Sequence, residues 1–103
     1  MKELTEYDKN GNETHYRNSN GFEVWREYDE NSNMIHRRNS DGYEEWMEYD
    51  KNNNMIHYRD FKGYEFWREY DENNNEIHFR TSTGHVVDTT IVQFPKIVWP
   101  NEI

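Results

Sequence analysis

The sequence predicts an all-β fold: an antiparallel array of 21-residue β-hairpin repeats, single-layer or coiled, with a C-terminal β cap. Three observations carry that prediction. The 103-residue chain repeats itself with a period of 21. Clusters of Asn, Asp and Gly interrupt it about every ten residues, and no stretch between them has helical spacing. Its apolar side chains are few but aromatic, with 32% of residues hydrophobic and 17% aromatic. A net charge of −9 on so polar a chain is the compositional signature of disorder, but disordered chains lack aromatics. Something other than a thick core must order this one.

The repeat is plain from residue 21 onward. Residues 21–41 read GFEVWREYDENSNMIHRRNSD, 42–62 read GYEEWMEYDKNNNMIHYRDFK, and 63–83 read GYEFWREYDENNNEIHFRTST. Several columns hold one residue type: Trp25, Trp46 and Trp67; Tyr7, Tyr28, Tyr49 and Tyr70; His15, His36, His57 and His78; Arg17, Arg38, Arg59 and Arg80. The N-terminus enters in the same phase, with Leu4 in the Trp column. Residues 1–83 therefore form four repeats, the first truncated.

Each repeat predicts two strands. Residues 43–49 alternate and carry β-favouring aromatics, and residues 55–59 form the return. Asp50-Lys51-Asn52-Asn53-Asn54 is a turn by composition, because Asn and Asp tolerate positive φ and bond their own backbone. The other connection carries Asn20-Gly21 or Asp41-Gly42, strong hairpin signals. Taken as two-residue turns, these pairs put His36 opposite Met47 and His15 opposite Arg26. If the Asn-rich loops put Tyr28 opposite Met34, then Arg26 faces His36. One face then carries the Tyr column with a row of His15, Arg26, His36, Met47, His57, Arg68 and His78. The other carries Leu4, Tyr16, Trp25, Arg37, Trp46, Tyr58, Trp67 and Phe79. Cross-strand ladders of this kind can stand in for a core. Residues 84–103 lose the pattern and are the most apolar in the chain, which predicts the cap that a repeat array needs.

Composition also excludes functions. No run approaches the roughly 18–20 apolar residues of a membrane span. The N-terminus has no apolar signal region, and with no cysteine there is neither a disulfide nor a thiolate metal site. A cytoplasmic protein is expected, within a bacterial host if the chain is phage-encoded. The acidic balance disfavours direct binding of nucleic acid, which needs clustered Lys and Arg.

Tyr28-Asp29, Tyr49-Asp50 and Tyr70-Asp71, each followed by an Asn-rich turn and by a Gly about 13 residues on, resemble the YD repeats of Rhs-type proteins. Tyr7-Asp8-Lys9-Asn10-Gly11-Asn12 is the nearest copy, because it keeps the turn glycine. The array is similar in style to MORN-like repeats as well. The resemblance covers residues 1–84 and implies stacked hairpins with no catalytic residues. Ser32, Asn53 and Asn74 replace the glycine in later copies, and a stand-alone array this short cannot form the large shell known from that family.

The columns suggest chemistry. Histidines one repeat apart lie two strands apart, about 9.5 Å, too far to share an ion whose ligands sit near 2.0–2.1 Å. The His column therefore reads as a structural ladder with Arg, and no metal or cofactor is expected. Glu and His columns could supply acid–base pairs, but catalysis needs one special pocket and a repeat offers the same exposed pair three times. No enzyme is expected. Trp25, Trp46 and Trp67 could form a stacking platform for glycans or a structural stripe. Glu23, Glu27, Asp29, Glu30, Glu44, Glu45, Glu48, Asp50, Glu65, Glu69, Asp71 and Glu72 recur with the repeat and should fall in spatial rows.

These features predict a small acidic protein-binding repeat protein. Its regular negative charge could imitate a nucleic-acid backbone and occupy a basic surface of a nucleic-acid-binding partner, as phage-encoded inhibitors such as anti-CRISPRs do. The alternatives are a glycan-binding or surface module using the Trp row, and a β scaffold that self-assembles or dimerises through open sheet edges.

Overall fold

The computed structural model describes residues 2–88. Nine strands follow one another: β1 (Leu4–Tyr7), β2 (Glu13–Arg17), β3 (Glu23–Tyr28), β4 (Met34–Asn39), β5 (Glu44–Tyr49), β6 (Met55–Asp60), β7 (Glu65–Tyr70), β8 (Glu76–Thr81) and β9 (Val86–Asp88). They form one open antiparallel sheet in sequence order. Each strand packs only against its chain neighbours, so the sheet is a single layer. The all-β hairpin array expected from the repeat is therefore present. Of the expected cap, β9 is its described part, and residues beyond 88 lie outside the described residues. Among the described residues there is no helix, and so none long and apolar enough to cross a membrane.

A single layer leaves little interior. Val24 and Met47, both 4% exposed, are the only buried hydrophobic residues among those described. Most other strand side chains are half-buried. Order comes instead from cross-strand contacts and from loops that bond themselves.

The two kinds of loop have one design. In the Asn-rich loops, Asp8, Asp29, Asp50 and Asp71 each accept two backbone N–H groups on Oδ1, from the residues two and four further on. In three of the four other loops, Asn18, Asn39 and Asp60 do the same, and in the fourth Thr81 Oγ1 accepts the backbone N–H of His85. Each loop then closes with a residue at positive φ. In one set this is Gly11, Ser32, Asn53 or Asn74, and in the other Gly21, Gly42, Gly63 or Gly84. Every loop is a three-residue connection: a type I turn followed by a left-handed residue.

That loop length corrects the register expected from two-residue turns at Asn20-Gly21 and Asp41-Gly42. His36 lies opposite Trp46, not Met47, and His15 lies opposite Trp25, not Arg26. The pair expected across the Asn-rich loop, Arg26 with His36, is replaced by Arg26 with Arg37 and Glu27 with His36. Tyr28 does face Met34, but Ile35 between Met34 and His36 is an extra residue, a β-bulge. Thr14, Ile56 and Ile77 bulge at the equivalent places. A one-residue slip exchanges the faces of a strand. The return strands therefore send His and Arg38 or Arg59 to the Trp face, and Arg37, Tyr58 and Phe79 to the Tyr face. The bulges have partners of their own. The hydroxyl of Tyr28 donates to the carbonyl of Glu13, just before the bulged Thr14, and Tyr49 donates to Met34, just before Ile35, each at 2.8 Å.

Candidate functional site: an acidic rim and a Trp–His–Arg face

The Trp face is a set of repeated sandwiches. Trp25 stacks on His15 at 5.2 Å between ring centroids and 8° between planes. On its other side the guanidinium of Arg38 lies 4.2 Å from the ring centre. Trp46 sits in the same way between His36 and Arg59, and Trp67 between His57 and Arg80. His and Arg come from opposite neighbouring strands, so both faces of each indole are covered. A sugar that stacks needs an open ring face, and these three rings offer edges.

The histidines are held by carboxylates from two sides. His15 meets Glu6 through Nδ1 at 3.0 Å and Glu23 through Nε2 at 2.8 Å. His36 meets Glu27 at 3.1 Å and Glu44 at 2.7 Å. His57 meets Glu48 at 3.0 Å and Glu65 at 2.8 Å. The bonds to Glu23 and Glu6 raise the His15 pKa above its usual 6.5, against the opposing effect of burial.

The expected rows of acids are thus sorted into three groups. Glu23, Glu44 and Glu65 are half-buried inner partners of histidine. Glu45 lies on the opposite face, where its Oε1 accepts from the hydroxyls of Tyr43 and Tyr58 at 2.9 and 2.8 Å. Burial foremost, then the bonds to Tyr43 and Glu45, pushes the Tyr58 phenol well above its ordinary range. The remaining eight gather along one long edge, at the Asn-rich loops. Glu27, Glu48 and Glu69 stand one residue before the ends of their strands there and are exposed; Glu30 and Glu72 are exposed in the loops. Asp29, Asp50 and Asp71 anchor the loops, and backbone N–H bonds, from Asn33, Asn54 and Asn75 foremost, hold their carboxyls below the usual 3.8.

Glu6 and Asp8, absent from the sequence-based set, complete this rim. It holds ten carboxylates against two cations, Lys9 and Lys51, a net of −8 in a chain of net −9. Hydrogen bonds donated by side-chain amides tie the loops together: Asn12 Nδ2 to Ser32 Oγ, Asn33 Nδ2 to Asn53 Oδ1 and Asn54 Nδ2 to Asn74 Oδ1, at 2.8–2.9 Å. Between the first two loops lies a hollow of about 500 Å³, lined by Asp8, Lys9, Asn10, Tyr28, Asp29 and Glu30. Among the described residues, no three His, Asp or Glu side chains are grouped to hold a metal ion.

What the sequence missed was the His–Glu contact and the place of Arg over Trp. The signal was present in the loops. Asn18, Asn39 and Asp60 stand three residues before a glycine, as Asp8 stands before Gly11, which marks both loops as one type. No family model and no curated protein matches this chain. Its resemblance to YD repeats rests on its sequence motifs.

Proposed function

We propose that this is a non-enzymatic binding protein whose acidic rim engages a basic surface of a nucleic-acid-binding partner and blocks it, in the manner of phage-encoded inhibitors. One observation carries the reading: nearly the whole net charge lies along a single edge, in four groups about 9.5 Å apart. Eight net charges in four groups average two per repeat of about 9.5 Å, or about one per 5 Å. That approaches the single charge per 3.4 Å of one nucleic-acid strand and falls well short of the one per 1.7 Å of a duplex. The rim therefore suits a groove built for a single strand. The inter-loop hollow, with Asp8, Asp29 and Glu30 at its wall, suits a Lys or Arg head. The covered indoles weigh against the glycan reading.

The test is capture of partners from a host lysate on immobilised protein, at low and at high salt. Retention of basic nucleic-acid-binding proteins is expected at low salt and loss at high salt. A Glu30→Lys/Glu72→Lys variant changes two exposed loop side chains and should lose the same proteins. Retention that ignores both salt and this variant would remove the proposal.

A further inference from the structure

Among the described residues, the strands from β2 to β8 have a neighbour on each side, and no strand lies on the outer side of β1. We propose that this outer edge pairs antiparallel with β1 of a second copy of the chain, about a two-fold axis at Leu4, so that two chains share one continuous sheet. The inference does not rest on the partner proposed above.

The bonds already made show which backbone groups of β1 face outward. The Lys2 carbonyl accepts from Arg17 Nε, and the Asp8 N–H donates to the Asn12 carbonyl. Both residues turn to β2, and so do Leu4 and Glu6 between them, because pairing alternates along a strand. Glu3, Thr5 and Tyr7 therefore direct their N–H and C=O groups away from the sheet. Their equivalents on β3, from Val24 to Tyr28, face β2. The hydroxyls of Tyr28 and Tyr49 reach a carbonyl of the strand before them at 2.8 Å, whereas Tyr7 is 62% exposed. Residues 2–7 hold no proline, and the bulge of this hairpin lies on β2 at Thr14.

Charge decides the occupant. Inside the array, Glu23, Glu44 and Glu65 open their strands opposite Arg17, Arg38 and Arg59 of the strand before. The equivalent residue at β1 is Lys2. Another return strand of the same kind would set its Arg against Lys2. Lysine on an edge is a device against pairing, and here it acts on strands that bring a cation to that place. β1 brings an acid there. With Leu4 on the axis, Lys2 stands opposite the partner's Glu6, and Glu6 opposite the partner's Lys2. Opposite charges set directly across an antiparallel pair stabilise it.

The same register serves the other residues. Glu3 and Thr5, with outward backbone groups, exchange N–H···O bonds with the partner's Thr5 and the partner's Glu3. Leu4 meets the partner's Leu4 on the Trp face, on the side where Trp25, Trp46 and Trp67 each receive a histidine from the strand before. An axis at Thr5 would set Leu4 against the partner's Glu6, and an axis at Glu3 would set two glutamates together. A two-fold contact of one edge with itself closes at two copies. Glu6 is the rim carboxylate that it faces. Antiparallel pairing sends the two rims to opposite long edges of the joint sheet, where both stay open to a basic surface.

A contact limited to one short strand belongs with interfaces below about 1,200 Å², which associate weakly. Sedimentation equilibrium of the full chain therefore runs from about 10 μM to about 1 mM. Salt of about 0.15 M screens the like charge of the two copies. The mass should rise with concentration from 12.8 kDa toward twice that. Thr5→Pro removes an outward N–H and none that faces β2, and an edge strand accepts proline. It should keep the circular dichroism of the parent and stay monomeric. Lys2→Glu leaves the backbone whole at an exposed residue and turns both cross-strand attractions into repulsions. It should weaken association about tenfold or more, and it decides the matter if Thr5→Pro does not fold. A mass of one chain at every concentration would overturn the inference. So would a dimer that either folded variant leaves as strong as the parent's.

Discussion

Replacing Trp46 with alanine removes the middle sandwich, and its cost can be worked from the structure. A packed tryptophan withdraws roughly 150–250 Å² from water, and the lower figure suits a half-buried ring in a single layer. At 25 cal/mol per Å² that is about 4 kcal/mol, or about 3 once the compactness of the unfolded chain is allowed for. The stack on His36 at 5.6 Å adds about 0.5–1.5 kcal/mol. Arg59 at 4.2 Å adds about 0.5–1. The sum is about 4–5 kcal/mol, a large part of the 5–15 that holds an ordinary domain. Urea denaturation followed by far-UV circular dichroism measures it. A double-mutant cycle with His36→Ala should return a coupling of about 0.5–1.5 kcal/mol. Because Trp25 and Trp67 sit in equivalent sandwiches, their alanine variants should match within about 1 kcal/mol. A loss below about 2 kcal/mol, with no coupling to His36, would refute the idea that these ladders replace a core.

Three further outcomes are expected. Gly42→Ala should cost about 1–2 kcal/mol in urea denaturation, all of it backbone, because φ is +92° and nothing lies within 4 Å of the added carbon. Tyr58→Phe should cost about 1 kcal/mol by the same assay, because its hydroxyl joins Glu45 and Tyr43. Thermal stability should pass through a maximum between about pH 4 and 6.5. His15, with its folded-state value raised, contributes fully below about 6.5 and loses that contribution as pH rises through the raised value. Asp8, Asp29, Asp50 and Asp71, held below 3.8 chiefly by backbone N–H bonds from Asn12, Asn33, Asn54 and Asn75, contribute above that value and lose it as pH falls. A melting temperature that climbs steadily from pH 6 to about 9 would contradict the histidine side of this account.

Strand positions, hairpin topology and sheet order were legible from the 21-residue period, because a repeat must bury the same pattern against its neighbours. The acidity of Asp29, Glu30, Asp71 and Glu72 was legible as charge recurring with loops. The fate of Glu45 was not, since it shares a strand with Glu44 and faces the other way, into tyrosine hydroxyls. Glu23, Glu44 and Glu65 were read with the recurring acidic rows, yet each is a partner of histidine.

The sequence by itself determined that hairpins form, where they turn and how the array is ordered. Which face each return strand shows was decided by the tertiary structure alone. Asn-Gly and Asp-Gly fit both a two-residue turn and a three-residue loop that ends in a left-handed glycine. The choice came from Asn18, Asn39 and Asp60 binding the backbone two and four residues on, and from a bulge at Thr14, Ile35, Ile56 and Ile77. A strand repeats every two residues, so each one-residue choice moves every side chain to the other face. Those choices placed histidine on tryptophan and between two glutamates.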